Sequence, residues 1–354
     1  MSKNISTQSL QYDLFSNFLS NDPESVSNTV EMWEIIPKYI LTPKQIEKLR
    51  TKEGHANPFS WEYLYSNTEF QVDIQPALIK EDDGAYKAYF PGVTEELVEE
   101  ALKKIFTYQN HGIHDTDKHE SWVRFSLNMI HRELKSRGRS RSLDQIKHAL
   151  QIMSKCIITL SKKEIGAKKY TQIWQGQILQ ELITVGREEY LEDSGSFHVA
   201  RLPTFITHSI NQLEYRQFNY NRLMECSEQV ARWLYKRLIH RYRQASINND
   251  YHFTFSSIVK DSALLQQASE RHNREKLENA LDELVRKKIL RNYEVELKKT
   301  GRKITDAVYT VFPTAEFIQE QKAANKRQLN SQETLESIPV SLTKRRKSIS
   351  IISE

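Results

Sequence analysis

The chain has 354 residues, 27% charged and 38% hydrophobic, with only 10 Gly and 9 Pro. Such a composition excludes collagen-like and low-complexity classes and favours long helices. Two cysteines, Cys156 and Cys226, cannot build a disulfide framework or a four-cysteine zinc site, and no run of about 18 uncharged apolar residues is present to span a membrane. The N-terminus has no basic, apolar and small-residue succession of a secretory signal, so a soluble, cytoplasmic protein is expected. The net charge of +5 is unevenly spread. Residues 1–100 hold 8 Lys/Arg against 17 Asp/Glu, whereas residues 101–354 hold 43 against 29. A basic second part suggests a polyanionic partner, most often nucleic acid.

Residues 1–30 are polar and Ser/Asn-rich and read as a mobile arm, with one short helix predicted at Tyr12–Leu19. Residues 31–91 form an acidic segment of unknown role. Trp33, Trp61, Tyr63, Tyr65, Phe70 and the turn Asp82-Asp83-Gly84 suggest order there without chemistry. At Thr94-Glu95-Glu96-Leu97 a helix is predicted to start, with Leu97, Ala101, Leu102 and Ile105 on one stripe.

An internal repeat follows. Phe125, Leu127 and Ile130 match Phe253, Phe255 and Ile258 at an offset of 128 residues. Ile146, Ala149, Leu150 and Met153 match Leu277, Ala280, Leu281 and Leu284 at 131, and Ile157 and Ile158 match Ile289 and Leu290 at 132. Each copy reads as strand, helix, turn, helix, strand, strand. Ser126 and Ser256 are the candidate caps of the first helices. In copy one, Arg137-Gly138-Arg139-Ser140-Arg141 leads into the capping box Ser142-Leu143-Asp144-Gln145; in copy two Asn273 is the candidate cap. Strand-rich runs follow at Cys156–Leu160 and Thr171–Thr184, then at Arg291–Leu297 and Asp306–Phe312. A helix-turn-helix followed by a hairpin is a winged helix. The expected fold is therefore α+β, predominantly helical: two tandem winged-helix domains, 92–213 and 214–325, behind the acidic extension and before a basic disordered tail at 326–354.

Helical periodicity puts Leu143, Ile146, Ala149, Leu150 and Met153 in the core, and turns Arg141, Asp144, Gln145, His148 and Gln151 outward. In copy two, Leu277, Ala280, Leu281 and Leu284 point inward and Arg271, His272, Glu275, Asn279 and Asp282 outward. Asn and Gln can read adenine, Arg guanine, and carboxylates can accept from cytosine in a major groove. The alternative is a solvated face on which Asp144 and Glu275 merely favour the helix dipole. Arg137, Arg139 and Arg141, with Ser140 and Ser142, suit phosphate clamping at a helix N-terminus. The hairpin tip Lys298-Lys299-Thr300-Gly301-Arg302-Lys303, and Lys162-Lys163 with Lys168-Lys169 in copy one, offer further cations. The expected DNA-binding set is Arg137, Arg139, Ser140, Arg141, Gln145, His148, Arg271, His272, Arg274, Asn279, Lys298, Lys299, Arg302 and Lys303. A further helix is predicted over Ser227–Ala245, with Val230, Trp233, Leu234 and Leu238 as its stripe and Lys236, Arg237, His240, Arg241 and Arg243 between.

Catalytic patterns are weak. His111, His114 and His119 with Asp115 and Asp117 lack a fixed ligand spacing, so no metal is expected. Tyr215 and Tyr220 are available as nucleophiles for a nicking enzyme, but its paired histidines are missing. There is no GxxxxGK[ST] loop, and Glu188-Glu189 sits on no active-site frame. Neither catalysis nor a cofactor is expected.

Four stretches, FSLNMIHRELKSRGRSRSLDQIKHALQIMSKCII, SEQVARWLYKRLIHRYRQA, YHFTFSSIVKDSALL and GRKITDAVYTVFPTAEFIQEQKAANKR, resemble plasmid-encoded RepA-type replication initiators of Gram-negative bacteria. The resemblance covers roughly residues 92–327. It implies a bacterial, plasmid-associated protein that binds repeated double-stranded sites (iterons) at an origin and opens adjacent AT-rich DNA. It further implies recruitment of the host initiator DnaA and the replicative helicase DnaB, and a homodimeric form that represses its own promoter. The alternative is a tandem winged-helix transcriptional regulator. Lys344-Arg345-Arg346-Lys347 resembles a nuclear signal but reads as a solvated tail.

Overall fold

The computed structural model describes residues 25–108, 110–115, 118–164, 167–186 and 197–336. Tyr12–Leu19, Asp117, Glu188-Glu189 and Lys344–Lys347 lie outside the described residues.

The acidic segment is built of short elements. It is preceded by strand β1 (Val26–Thr29), an ordered and largely buried part of the stretch expected to be a mobile arm, and opens with the helices α1 (Glu31–Glu34) and α2 (Pro43–Leu49). Two hairpins come next, β2–β3 (Phe59–Tyr65, Thr68–Gln75) and β4–β5 (Ala77–Lys80, Tyr86–Tyr89). The second turns at Gly84, whose φ of +86° suits a residue without Cβ. Helix α3 (Val93–Phe106) starts one residue before the expected Thr94, and its Glu95 carboxylate accepts the Gly92 N–H at 2.7 Å. Repeat one comprises β6 (Gly112–Asp115), β7 (Glu120–Phe125), α4 (Leu127–Lys135), α5 (Leu143–Lys155), β8 (Ile157–Lys163), β9 (Thr171–Gly176), β10 (Glu181–Ile183), β11 (His198–Arg201) and α6 (Thr204–Gln212). Then come β12 (Arg216–Asn219), α7 (Tyr220–Glu225) and α8 (Gln229–Arg241). Repeat two has β13 (Tyr251–Thr254), α9 (Phe255–Ser262), α10 (Glu270–Arg286), β14 (Leu290–Thr300) and β15 (Lys303–Pro313), and α11 (Ala315–Glu336) closes the described chain. Residues 326–336, assigned to the tail on composition, continue α11.

Helix accounts for 40% and strand for 31%, so the fold is mixed rather than predominantly helical. The acidic segment supplies strands that helical periodicity could not reveal. Of these, β3 pairs antiparallel with β8 (Val72 opposite Leu160, Ile74 opposite Ile158), giving the order β2-β3-β8-β9. Strand β1 pairs with β12, at the start of the second half. The repeats also differ in their leading strands. In repeat two β13 pairs with the hairpin strand β15; in repeat one β7 joins β6 and β11 in a separate sheet.

Both predicted helix stripes are buried: Ile146, Ala149, Leu150 and Met153, like Leu277, Ala280, Leu281 and Leu284, are at most 3% exposed. Leu143 is a correction. It is the first residue of α5, one turn before the packed stretch, and stays 41% exposed. Among the described residues no helix is long and apolar enough to cross a membrane.

Acidic α1 and α3 meet basic α8 in the interior. Arg232 forms a bidentate pair with Glu96 (3.0 and 2.8 Å), and Lys236 bonds Glu100 and Glu34, each at 2.6 Å. Lys103 bridges the same two carboxylates at 2.5 and 2.6 Å. Burial alone would raise the Glu34 carboxyl, but the ammonium groups of Lys103, Lys236 and Lys38 outweigh it and hold the group well below its usual range. Part of the charge division along the chain is thus cancelled inside the fold.

His240, on the same helix, is 5% exposed and bonds Thr29 Oγ1 at 3.3 Å. Burial pushes its imidazole down to about 4. The unfolded chain, with an ordinary histidine near 6.5, binds the extra proton between those values, so stability falls as pH drops through that window. We expect a loss of about 2 kcal/mol from this group between pH 7 and 5. Urea unfolding of the wild type and His240→Gln should show the flatter pH dependence in the variant. Burial also depresses His114, His148 and His198, so some slope will remain.

Candidate nucleic-acid interface

Repeat two presents the more open surface. Thr254 caps α9, its hydroxyl accepting from Ser257 N at 3.2 Å. Ser256, the expected cap, instead donates to Asp306 Oδ2 at 2.7 Å and ties the helix to the hairpin. Helix α10 likewise begins at Glu270, its N-cap position being Ser269, four residues before the expected cap Asn273. The buried Asn273 amide clamps the preceding loop, accepting from Gln267 N (2.9 Å) and donating to Gln267 O (3.0 Å). Two-sided backbone bonding holds the turn that aims α10.

Arg271, His272, Glu275, Asn279 and Asp282 all lie exposed along α10, as periodicity predicts. Arg271 pairs with Glu275 at 2.9 Å, yet its side chain is 80% exposed and free to exchange that partner. Arg274 is different: it bonds Glu270 at 2.9 Å, stacks over Phe255 and is only 16% exposed. Sequence reasoning missed the bracing from the hairpin, where Tyr293 donates to Asp282 (2.9 Å) and Tyr309 to Glu278 (3.1 Å). Their alternation on β14 and β15 was the available signal. The hairpin turns at Gly301, whose φ is +61°. Around it Lys298, Lys299, Arg302 and Lys303 are exposed, and none forms an ion pair among the described residues.

Repeat one is more enclosed. The Ser142/Gln145 capping box forms, with Ser142 N donating to Gln145 Oε1 at 2.9 Å, and Gln145 and Ser140 are exposed. The three arginines of the turn are drawn inward. Arg137 pairs with Glu133 at 2.9 Å and lies over Tyr220; Arg139 donates to the carbonyls of Met224 and Glu225, both at 2.9 Å, at the end of α7. Arg141 bonds Thr94 Oγ1 (3.2 Å) and Ser140 O (2.9 Å). Orphan helix carbonyls attract a guanidinium strongly, so the turn stitches repeat one to α7. His148 meets Tyr89 edge-on at 4.5 Å, because the β4–β5 hairpin packs beside α5. Ile152, one turn further along the same flank, is buried as well. The exposed row of α5 therefore runs through Asp144, Lys147 and Lys155, and the two lysines were not foreseen. Of the other copy-one cations, Lys163 pairs with Glu69 at 2.6 Å, while Lys168 and Lys169 are exposed.

His114 bonds Ser121 Oγ and Asn211 Oδ1, each at 2.9 Å, and His111 bonds Arg124 O at 2.9 Å. No group of three or more metal-ligating side chains occurs among the described residues. Tyr220 is fully buried, and burial pushes the thiols of Cys156 and Cys226 up to about 12.

No protein-family model and no curated protein matches this chain significantly. Among solved structures it is similar to two crystal structures of domains 2 and 3 of RctB, at 14% and 13% identity, each with a TM-score of 0.45. They cover 79% and 78% of this chain and 97% of those chains. It is also similar to the Pi initiator protein in complex with iteron DNA, at 11% identity and a TM-score of 0.34, over 83% of this chain and 99% of the other. Likeness at this level says nothing of what this chain does.

Proposed function

We propose that this chain is a plasmid replication initiator that binds repeated double-stranded sites at an origin through two winged-helix units. The observation that carries the reading is the open face of α10 (Arg271, His272, Glu275, Asn279, Asp282) beside a hairpin tip whose four cations form no ion pair among the described residues. A helix of this kind fits a major groove about 12 Å wide, where Asn279 can pair with adenine and Arg271 with guanine. The hairpin cations can neutralise phosphates and fix the register. Repeat one contributes the narrower α5 row, so that one chain reads about 20 bp on one face of the duplex. The resemblance of residues 92–327 to RepA-type initiators supports origin binding over transcriptional control. By the same analogy the chain would open AT-rich DNA, recruit DnaA and DnaB, and act without catalysis of its own.

Footprinting the purified chain on DNA flanking its own gene tests the reading. Protection is expected to repeat at about two helical turns. A plasmid carrying that DNA should replicate when the chain is supplied in trans; binding without replication favours the regulator. In the same footprint Asn279→Ala should lose about 1–3 kcal/mol of discrimination between specific and random DNA. Equal losses on both would remove Asn279 from base reading.

A further inference from the structure

A cleft of about 820 Å³, mouth included, opens between residues 31–40, helix α8 and the end of α9. Its wall is apolar, formed by Ile35, Pro37, Ile40, half-buried Trp233 and Leu264. Three nitrogen groups in the lining have hydrogen-bonding capacity that the protein leaves unused. Lys38 is 3% exposed; its ammonium donates to Trp33 O at 2.7 Å and lies 4.3 Å over the Trp33 ring, and it forms no ion pair among the described residues. Arg237 pairs with Asp261 and lies over Trp233, but its buried Nε has no partner among the described residues. Nor has Nδ1 of buried His240 among those residues.

The acidic groups around the cleft are already committed. Glu34 is held by Lys103 and Lys236, Glu96 by Arg232, Glu31 by Arg241 and Arg243, and Asp261 by Arg237. Glu99 and Glu34 act on the Lys38 ammonium through space without contacting it, so its remaining N–H donors are unmet among the described residues and a carboxylate would suit them. Burial accordingly pulls the Lys38 ammonium below its usual range.

We infer that this cleft binds a small organic acid with an apolar ring or chain. Its carboxylate meets Lys38, and its body lies on Trp233, Ile40 and Leu264. The walls come from the acidic segment, α8 and repeat two, so occupancy braces the seam on which repeat two sits.

Calorimetric titration of the full chain with 1-naphthoate, and separately with neutral 1-naphthylmethanol, tests the inference. One saturable 1-naphthoate site per chain is expected, with the neutral probe at least tenfold weaker. Lys38→Met should remove that difference. The Lys298/Lys299/Arg302/Lys303 quadruple alanine variant should bind 1-naphthoate as the wild type does. No saturable binding by the folded wild type, or equal binding of the two probes, would overturn the inference without involving any variant. Loss of binding in the quadruple variant would place the ion on the hairpin and also overturn it. Neither probe measurement depends on DNA binding, so failure here and failure of the initiator reading are separable.

Discussion

Replacing Arg232 with methionine is expected to destabilise the protein by about 3–5 kcal/mol, the cost of leaving a buried carboxylate without its partner. Arg232 is 1% exposed, and its guanidinium bonds both oxygens of Glu96 as well as the carbonyls of Cys226 and Ser227. Burial acts against its charge, but Glu96 outweighs it and raises the group further above its usual value. Methionine keeps much of the stem and removes every donor. Equilibrium unfolding in urea is the measurement, and the double variant Arg232→Met/Glu96→Gln should recover part of the loss, since its orphaned acceptor is neutral. A single-variant effect below about 1 kcal/mol would mean that water or rearrangement compensates the pair. The position matters because the pair joins α3, before repeat one, to α8, before repeat two. Loosening it should disturb the placement of the two repeats as well as the stability.

The second large effect concerns binding. Changing Lys298, Lys299, Arg302 and Lys303 together to alanine should lower affinity for DNA about 100- to 1000-fold at 0.15 M salt. The slope of log affinity against log salt should become shallower by about 3–4, if each cation neutralises one phosphate. Preference for the specific site should survive, because phosphate contacts position the protein and base contacts specify the sequence. Stability should change little, as all four side chains are exposed and lack ion pairs among the described residues. Affinity and salt slope both unchanged would show that the hairpin tip does not approach the duplex.

The repeat was legible because its signals are local. Apolar residues at helical spacing forecast Ile146, Ala149, Leu150 and Met153 and their counterparts Leu277, Ala280, Leu281 and Leu284, all of which are buried. The Ser142/Gln145 capping box and the hairpin turn at Gly301 were equally readable, since a few adjacent residues decide each. Errors began where a local signal had a distant competitor. Ser256 reads as a cap, but Asp306 lies fifty positions away in sequence and takes its hydroxyl. His148 reads as outward, but Tyr89 comes from a hairpin that no helical period reveals.

The arginine-rich turn is the clearest case. Arg137, Arg139 and Arg141 look like phosphate ligands because guanidinium groups near a helix N-terminus suit that role. In the fold, Glu133, the α7 carbonyls and Thr94 engage them first. Their charge is the same in either setting; only the acceptors brought within reach differ.

By itself the sequence determined the duplicated helix–turn–helix–hairpin pattern, the inward faces of its helices and the exposed cations of the second hairpin, because periodicity and turn chemistry act over a few residues. Tertiary structure alone decided that the acidic segment completes the sheet of repeat one, through β3 on β8, and that Glu34 together with Glu96 and Glu100 of α3 neutralises α8. Backbone pairing between strands distant in sequence leaves no local trace, and a charge meets its partner in three dimensions before its sign can be counted toward the surface.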